Sequence, residues 1–252
     1  MSRPFQEAIA AGAPLVALPV ADLQIELVRI PAGHFTMGSS PAEAGHSPAE
    51  GPARRIRISE PFYVGRYPVT RAQYYALMPL KTPTQNSDTV PVSQIAYAGA
   101  LDFCRRLSGD AGVDVALPTE AQWEYACRAG TLGPYYSGST EADLDRVAWY
   151  DGNAGGSAHP VGQKLPNAWG LHDTLGNVWE FTADFIQDYA DMPETDPVGL
   201  VAPTHGGMRG GGWMHGPEEC RAGCRMTTDT MFGGAGFRVA LKLDSPIKGD
   251  SR

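Results

Sequence analysis

The segment from Asn167 to Phe181 places two carboxylates around a glycine turn at a spacing that suits a bound cation. Asp173 and Glu180 supply hard carboxylate oxygens, and Gly176 lets the backbone turn so that main-chain carbonyl oxygens can join them. Calcium prefers such a ligand set, made of oxygen alone. The segment therefore predicts a structural calcium site, with a glycine turn ahead of a capped helix as the alternative.

A later segment carries side chains that could do redox chemistry. The runs Arg209–Met214 and Gly236–Val239 frame His215, Cys220 and Cys224. In one interpretation, imidazole and thiolate hold copper or iron and support an oxidation. In a second, the histidine is a solvent-exposed loop residue, and the cysteines lie one helical turn apart on a buried face. In a third, the cysteines form a redox couple, although i and i+4 positions on a helix hold two sulfurs poorly for bonding.

Composition and charge narrow the class of protein. The chain has 252 residues, of which 42% are hydrophobic, so it can bury a sizeable core. Its 28 acidic and 20 basic residues argue against a nucleic-acid partner, because phosphate binding draws on clustered lysine and arginine. No apolar stretch is long enough to span a membrane, and the first residues lack the order of a secretion signal. We expect a cytoplasmic protein without nucleic-acid or membrane partners.

Periodicity predicts mixed α and β structure followed by a long irregular region. Residues 1–24 suggest a loosely helical lead-in, and 25–38 and 54–64 alternate as strands. Helices are predicted after Thr70, after Ser93 and, with a capping box at Thr119 and Gln122, through Arg128. Regular periodicity almost disappears after residue 130, and the stretches 39–53 and 79–90 are polar loops. An irregular region of this length needs specific interactions to stay ordered, and we expect metal binding to supply them.

Five motifs, in a constant order, give the chain a resemblance to a known family. They are Val28–Gly38, Pro61–Thr70, Leu117–Ala126, Asn167–Phe181 and the framed segment that starts at Arg209. Taken together they resemble the formylglycine-generating enzymes, also called sulfatase-modifying factors. The resemblance implies a single loop-rich α+β domain related to the C-type lectins, with bound calcium. It does not fix the reaction, because function depends on the site and not on the scaffold.

The resemblance also implies ligands for two calcium ions. Asp173, Gly176, Val178 and Glu180 match one site of the family, in which the glycine and the small apolar residue act through their backbone carbonyls. The second site would use Asn153 and the carbonyl of Ala154. The acidic loop that completes the second site in the family is shortened here to residues 155–159, so its other ligands cannot be assigned.

The family's oxidases bind copper(I) through two cysteines, and this chain departs from that pattern. Counting forward from Arg209 places His215 at the first cysteine position and Cys220 at the second, whereas counting back from Arg225 moves the second position to Pro217. Trp179 would form the wall of an oxygen pocket, as in relatives. A linear copper(I) site needs two soft ligands, and the sequence offers one at most.

Two functions follow as expectations for a single domain over residues 25–245, between the lead-in 1–24 and a tail at 246–252. The first is a metal-dependent oxidase that acts on a peptide or amino-acid-derived side chain, through copper or iron bound near His215 and Cys220. The alternative is a non-catalytic module that binds a peptide, protein or small-molecule ligand with the 213–234 loop. Standard conversion of cysteine to formylglycine is not expected, because the cysteine pair is broken.

Overall fold

The computed structural model describes residues 3–78, 88–185, 188–202, 206–228, 235–241 and 243. The helices are α1 (Arg3–Ala10), α2 (Arg71–Leu77), α3 (Tyr97–Ala111), α4 (Glu120–Arg128) and α5 (Glu141–Asp145), with a 3-10 turn at Pro48–Glu50. The strands are β1 (Leu15–Val20), β2 (Leu23–Ile30), β3 (Gly33–Met37), β4 (Arg54–Ile58), β5 (Phe62–Gly65), β6 (Val115–Ala116), β7 (Trp179–Phe181), β8 (Gly206–Arg209), β9 (Arg225–Thr228), β10 (Ala235–Gly236) and β11 (Ala240–Leu241). The predicted tail 246–252 and most of the predicted loop 79–90 lie outside the described residues.

The larger sheet begins inside the segment predicted as a lead-in. Its strand order is β1-β2-β5-β11-β6, and β1 pairs antiparallel with β2 along its whole length. Burial alternates along β1, so Leu18 and Val20 enter the core while Leu15 faces water. Phe5 of α1 joins the same core. The prediction for residues 1–24 is therefore corrected: the helix ends at residue 10, and the rest belongs to the domain.

The helix starts predicted at Thr70 and Thr119 are confirmed, the helix predicted after Ser93 begins at Tyr97, and one predicted strand is divided. Thr70 with Gln73, and Thr119 with Gln122, each form a capping box, so two backbone N–H groups at each helix start gain side-chain acceptors. The alternating stretch 54–64 forms two strands, because β4 pairs with β3 in a small separate sheet and β5 pairs with β2. The turn at residues 59–61 changes the direction of the chain between them.

A four-stranded sheet brings the late motifs together. Its order is β10-β7-β8-β9, and Glu180 in β7 lies opposite Arg209 on one side and Gly236 on the other. The motifs that start at residues 167, 209 and 236 are thus neighbours in space. Within the described ranges, no helix is both long enough and apolar enough to cross a bilayer.

Buried arginines hold the irregular half in place. Arg209 donates to Glu120 and Glu124 from a fully buried position, and Arg225 forms a second ion pair with Glu120. Arg221 donates to both oxygens of Glu50 at 2.8 and 2.7 Å. These charge-assisted hydrogen bonds tie the late loops to α4 and to the loop before β4. Ion pairs between protein side chains therefore supply part of the ordering of the irregular region that the sequence analysis attributed to a metal.

Candidate functional site

The predicted calcium loop is a tight left-handed turn packed under Trp149. Asp173, Gly176 and Asn177 have φ angles of 54°, 70° and 61°. A Cβ on Gly176 would lie 2.3 Å from the carbonyl oxygen of Trp149, so only glycine fits there. The backbone N–H of Gly176 donates to Gly210 and that of Asn177 donates to Trp149. The turn is therefore fixed from both sides by backbone hydrogen bonds.

Asp173 is a buried carboxyl group whose hydrogen bonds offset only part of the cost of its burial. Its side chain belongs to a residue that is 1% exposed. One oxygen accepts a hydrogen bond from the N–H of Gly162 at 2.7 Å, and the other accepts from the amide of Asn177 at 3.3 Å. Burial raises the pKa of Asp173, while those hydrogen bonds and the charge of Arg238 lower it only in part. Its hydrogen-bond donors in the described structure are neutral.

Glu180 is paired with an arginine. The guanidinium of Arg238 donates to both of its oxygens at 2.6 Å, and the indole N–H of Trp123 donates to one of them at 2.7 Å. The remaining donors of Arg238 reach the carbonyls of Gly65 and His172 at 2.8 and 3.0 Å. This planar, two-point contact satisfies Glu180 without a metal.

Asp173 and the backbone around it are suitable ligands for a hard cation, whereas Glu180 is less suitable because Arg238 already occupies both of its oxygens. Asp173 and Glu180 are both buried, and the ion pair of Arg238 is with Glu180, so an ionised Asp173 would have no ion-pair partner of its own among the described residues. A hard cation bound by Asp173 and by carbonyls of the turn at Gly176 and Val178 would supply such a partner. Val178 itself is buried, and its side chain packs near Gly236.

The residues predicted for a second calcium ion already have partners. The side-chain oxygen of Asn153 accepts from the N–H of Tyr150, and its amide donates to Asp145 and to the carbonyl of Ala148. The carbonyl oxygen of Ala154 lies 2.8 Å from Nε2 of His159. These contacts close a local turn, so the donor set does not favour a second cation.

His215 and Trp179 meet at the segment predicted to be reactive. The indole N–H of Trp179 donates to Nε2 of His215 at 3.2 Å, and the two rings are perpendicular with centroids 5.5 Å apart. This contact requires Nε2 to be unprotonated. Burial lowers the pKa of His215, although the charges of Glu219 and Asp151 oppose that shift. The imidazole is therefore held neutral, with the lone pair of one nitrogen engaged.

The two cysteines of this segment are buried in a series of turns, and the predicted helix is wrong. Residues 217–220 and 222–223 are turns, and the helices of the described residues do not extend to Cys220 or Cys224. Cys220 packs with Trp123, whereas Cys224 packs with the main core. Burial raises the pKa of both thiols, that of Cys224 to about 11. Both cysteines are free thiols in the protonated form at neutral pH.

Two adjacent glycines, Gly211 and Gly212, lie next to Cys220 and His215 respectively. A Cβ on Gly211, where φ is +72°, would lie 2.7 Å from Sγ of Cys220. A Cβ on Gly212 would lie 3.5 Å from Nδ1 of His215. Glycine at position 211 lets the sulfur approach the chain closely, whereas a side-chain Cβ at position 212 would make only an ordinary contact with the imidazole. Across the described ranges, no three His, Cys, Asp or Glu side chains come together in a way that could hold a metal ion.

Two carboxylates beside His215 were not predicted. Oε2 of Glu219 and Oδ2 of Asp151 lie 3.3 and 4.0 Å from the point where a Cβ on Gly216 would be. Neither forms an ion pair or side-chain hydrogen bond within the described part of the chain. The backbone N–H of Asp151 donates to the carbonyl of His215. Asp151 and His215 are 64 positions apart in sequence, so their spacing does not predict that they lie close together.

Next to these groups, Trp213 and Met214 form the tip of a short turn. The N–H of His215 donates to the carbonyl of Gly212, which closes the turn, and the N–H of Trp213 donates to Asn177. Met214 is 46% exposed, and Trp213 is partly exposed. We call Asp151 together with residues 213–219 the recognition face.

The fold and this arrangement define a class of protein, the sulfatase-modifying factors with their C-type-lectin-like fold. The family model of the sulfatase-modifying factor enzyme 1-like domain matches residues 18–243. This chain belongs to that family.

Three relatives illustrate the range of the family. The formylglycine-generating enzyme of Streptomyces coelicolor is 27% identical over 86% of this chain and 89% of its own length. The inactive C-alpha-formylglycine-generating enzyme 2 of Mus musculus is 25% identical over 87% of each chain. The solved structure of PvdO from Pseudomonas aeruginosa has a TM-score of 0.80 and 28% identity, and the match covers 91% of this chain and 99% of PvdO. The predicted family and fold are thus confirmed.

Proposed function

We propose that this chain is a ligand-binding member of the family that does not act as a copper-dependent thiol oxidase. Its ligand is a peptide, a protein or a small molecule bound at the recognition face. The single observation that carries this proposal is the contact between Trp179 and His215, which engages Nε2 where the oxidases of the family need a first sulfur ligand.

The described side chains do not ionise the nearest thiol in advance of a metal ion. Only a thiolate binds copper(I) strongly, and Cys220 is fully buried with a raised pKa. No arginine or lysine side chain donates a hydrogen bond to its sulfur within the described residues. Without a metal ion, a thiolate at Cys220 would be a buried anion that lacks a hydrogen-bonded counter-ion, so a copper ion would itself have to displace the proton.

The recognition face has features that suit binding. The turn that presents Trp213 and Met214 is closed by one backbone hydrogen bond and anchored by another, so little conformational freedom is lost when a ligand binds. An aromatic ring and a thioether beside two carboxylates, those of Asp151 and Glu219, offer apolar area and charge at one place. The rest of the predicted loop, residues 229–234, lies outside the described residues.

The family itself includes a protein whose name marks it as inactive, the mouse relative above. A protein can therefore belong to this family without oxidase activity. We extend that precedent to this chain because its first cysteine position is a histidine.

The oxidase remains the second candidate, for one reason. Trp179, His215 and Cys220 do gather around residues 211 and 212, as an imidazole and thiolate metal site would require. Copper or iron held there would supply oxygen activation. This chain's own residues would then have to break the indole hydrogen bond and ionise a buried thiol.

A peptide selection tests the binding proposal. Purified protein is used to select from a random peptide library, and the affinity of selected peptides is measured for the native chain, for Trp213→Ala with Met214→Ala, and for the control Leu132→Ala, an exposed leucine elsewhere. We expect loss of binding in the double variant alone. Equal affinity in all three proteins would refute the recognition face.

We further propose that calcium stabilises the fold at Asp173. The buried carboxyl group without an ion-pair partner in the described structure and the left-handed turn support one ion, bound by Asp173 with carbonyls of Gly176 and Val178. Glu180 stays with Arg238. Removing the ion should weaken the platform of the recognition face, because Asn177 accepts the backbone N–H of Trp213.

A further inference from the structure

A second exposed surface lies on the segment that follows residue 196. Val198, Leu200 and Val201 are 55%, 55% and 71% exposed. Scattered apolar residues on a surface are ordinary, but three within four positions concentrate exposed apolar area on one short segment. We call these three residues the apolar patch.

The backbone beneath the apolar patch is held in place. Leu200 and Phe185 exchange two backbone hydrogen bonds of 2.8 and 2.9 Å, and the N–H of Gly199 donates to the carboxylate of Asp184 at 2.5 Å. Asp184 in turn accepts from the first N–H of α4. The apolar side chains are thus presented to water by an anchored segment, which lowers the entropy lost when a partner binds.

A cleft continues the patch toward the two-stranded sheet. Its volume is about 250 Å³, and its wall includes Val198 with Pro197, Ile58, Phe62 and Leu243. Such a cleft can receive one or two apolar side chains of a partner while the exposed patch covers the next ones.

The charges around the patch select the partner. Residues 188–201 contain Asp188, Asp191, Glu194 and Asp196 and no basic residue. Arg54, from the neighbouring strand β4, forms a long ion pair of 3.8 Å with Glu194, whose side chain is 80% exposed, so this pair offsets little of the acidic charge. Glu60, which also lines the cleft, is exposed and has no ion pair in the described structure. An acidic border favours a partner with lysine or arginine beside its apolar side chains and repels anionic lipid. A second copy of this chain, with its net charge of -8, would bring like charges together.

We propose that the apolar patch and its acidic border bind an amphipathic basic segment of another protein. The apolar side chains of that segment cover Val198, Leu200 and Val201, and its basic side chains meet Glu60 and Glu194. This binding is independent of the recognition face, so either proposal can fail alone.

Two synthetic helices test the proposal by calorimetry. One contains leucine and lysine (LKKLLKLLKKLLKL), and the other has glutamate in place of every lysine. We expect only the lysine helix to bind the native chain. Replacement of all three patch residues by serine should weaken this binding by about tenfold or more, because the apolar area at the centre of an interface carries most of its affinity.

Matched variants separate the patch from general effects. Leu132→Ser with Leu165→Ser removes two exposed leucines elsewhere and should leave the affinity unchanged. Glu60→Gln with Glu194→Gln should weaken binding by about two- to fivefold and reduce its salt dependence, unlike Asp110→Asn.

Three results would overturn the proposal. They are absence of binding by the lysine helix, equal binding of both helices, and equal affinity of the serine triple variant and the native chain. Sedimentation of the native chain as a dimer that the triple variant abolishes would assign the patch to self-association instead, which also contradicts the proposal.

Discussion

Removal of calcium should destabilise the native chain measurably, because Asp173 would be left as a buried carboxylate without a cation. A site saturated at one hundred times its dissociation constant stabilises the folded state by about 2.7 kcal/mol. For a domain of this size, each kcal/mol shifts the melting temperature by about 2–4 °C. Chelation should therefore lower the melting temperature by about 5–11 °C, as the product of those values.

The same reasoning predicts how the calcium-free protein responds to pH. Burial raises the pKa of Asp173 above its unfolded value, so the folded state holds the proton more tightly. Its stabilising contribution is present below the unfolded pKa and is lost as pH rises through the folded pKa. Chelated protein should consequently lose stability from this group as the pH rises above about 4, and added calcium should restore it at neutral pH.

The variant Asp173→Asn separates this site from any other cation. It removes the buried charge, so its melting temperature should not respond to calcium or chelator. The control Asp191→Asn, at an exposed carboxylate, should respond as the native chain does. Differential scanning calorimetry with and without chelator measures all three. A native melting temperature that chelation does not change would refute the reasoning, as would a calcium response that persists in Asp173→Asn.

Three further predictions concern the buried groups. Arg238→Met leaves Glu180 buried without its arginine, so the free energy of unfolding in urea should fall by about 3–5 kcal/mol, and an unchanged value would contradict the role of this pair. Gly176→Ala places a Cβ 2.3 Å from a carbonyl oxygen and should prevent stable folding. The control Gly155→Ala also lies at positive φ but has open space around it, so it should lower the free energy of unfolding by only about 1 kcal/mol. Thermal melts measure both variants. Burial and the nearby Glu120 raise the pKa of Asp184 to about 6, so its carbon-13 carboxyl signal should titrate there and stability should fall as the pH rises from about 4 to 6; a midpoint near 4 would contradict this account.

Local chemistry made two helix starts in the first half of the chain predictable. Thr70 and Thr119 signal helix starts because a hydroxyl and a glutamine three residues later satisfy specific backbone N–H groups. The division of residues 54–64 was not predictable, since apolar residues at even positions (Ile56, Ile58, Phe62 and Val64) occur in both strands and the two differ in which strand they pair with. The strand β1 was not predicted, because Gly12 and Pro14 are typical of the end of an element and the alternation after them covers only six residues.

The buried arginines escaped prediction for a different reason. Arg209 and Arg238 were noted as parts of motifs, but nothing local shows that an arginine is buried, because its partners lie far away in sequence. A signal existed on α4, where Glu120, Glu124 and Arg128 repeat at four-residue spacing on its buried face. Carboxylates on the buried side of a helix require cations, and the remaining arginines were the available ones.

The sequence predicted which residues form the candidate site, but it did not predict the contacts between them. His215, Cys220 and Trp179 do lie near one another, yet the hydrogen bond between the indole and the imidazole depends on the packing of β7 against the turn at 212–215. The carboxylates of Asp151 and Glu219 depend on the same packing. Sequence spacing carries no information on such contacts.

Copper(I) titration against a competing chelator tests the central claim most directly. The native chain and Cys220→Ala are each titrated without oxygen, and oxygen uptake with a cysteine-containing peptide is then followed. We predict that neither protein takes copper from the chelator in stoichiometric amounts and that neither consumes oxygen. One copper ion per native chain, lost in Cys220→Ala and accompanied by oxygen uptake, would contradict the proposed binding function and establish the oxidase.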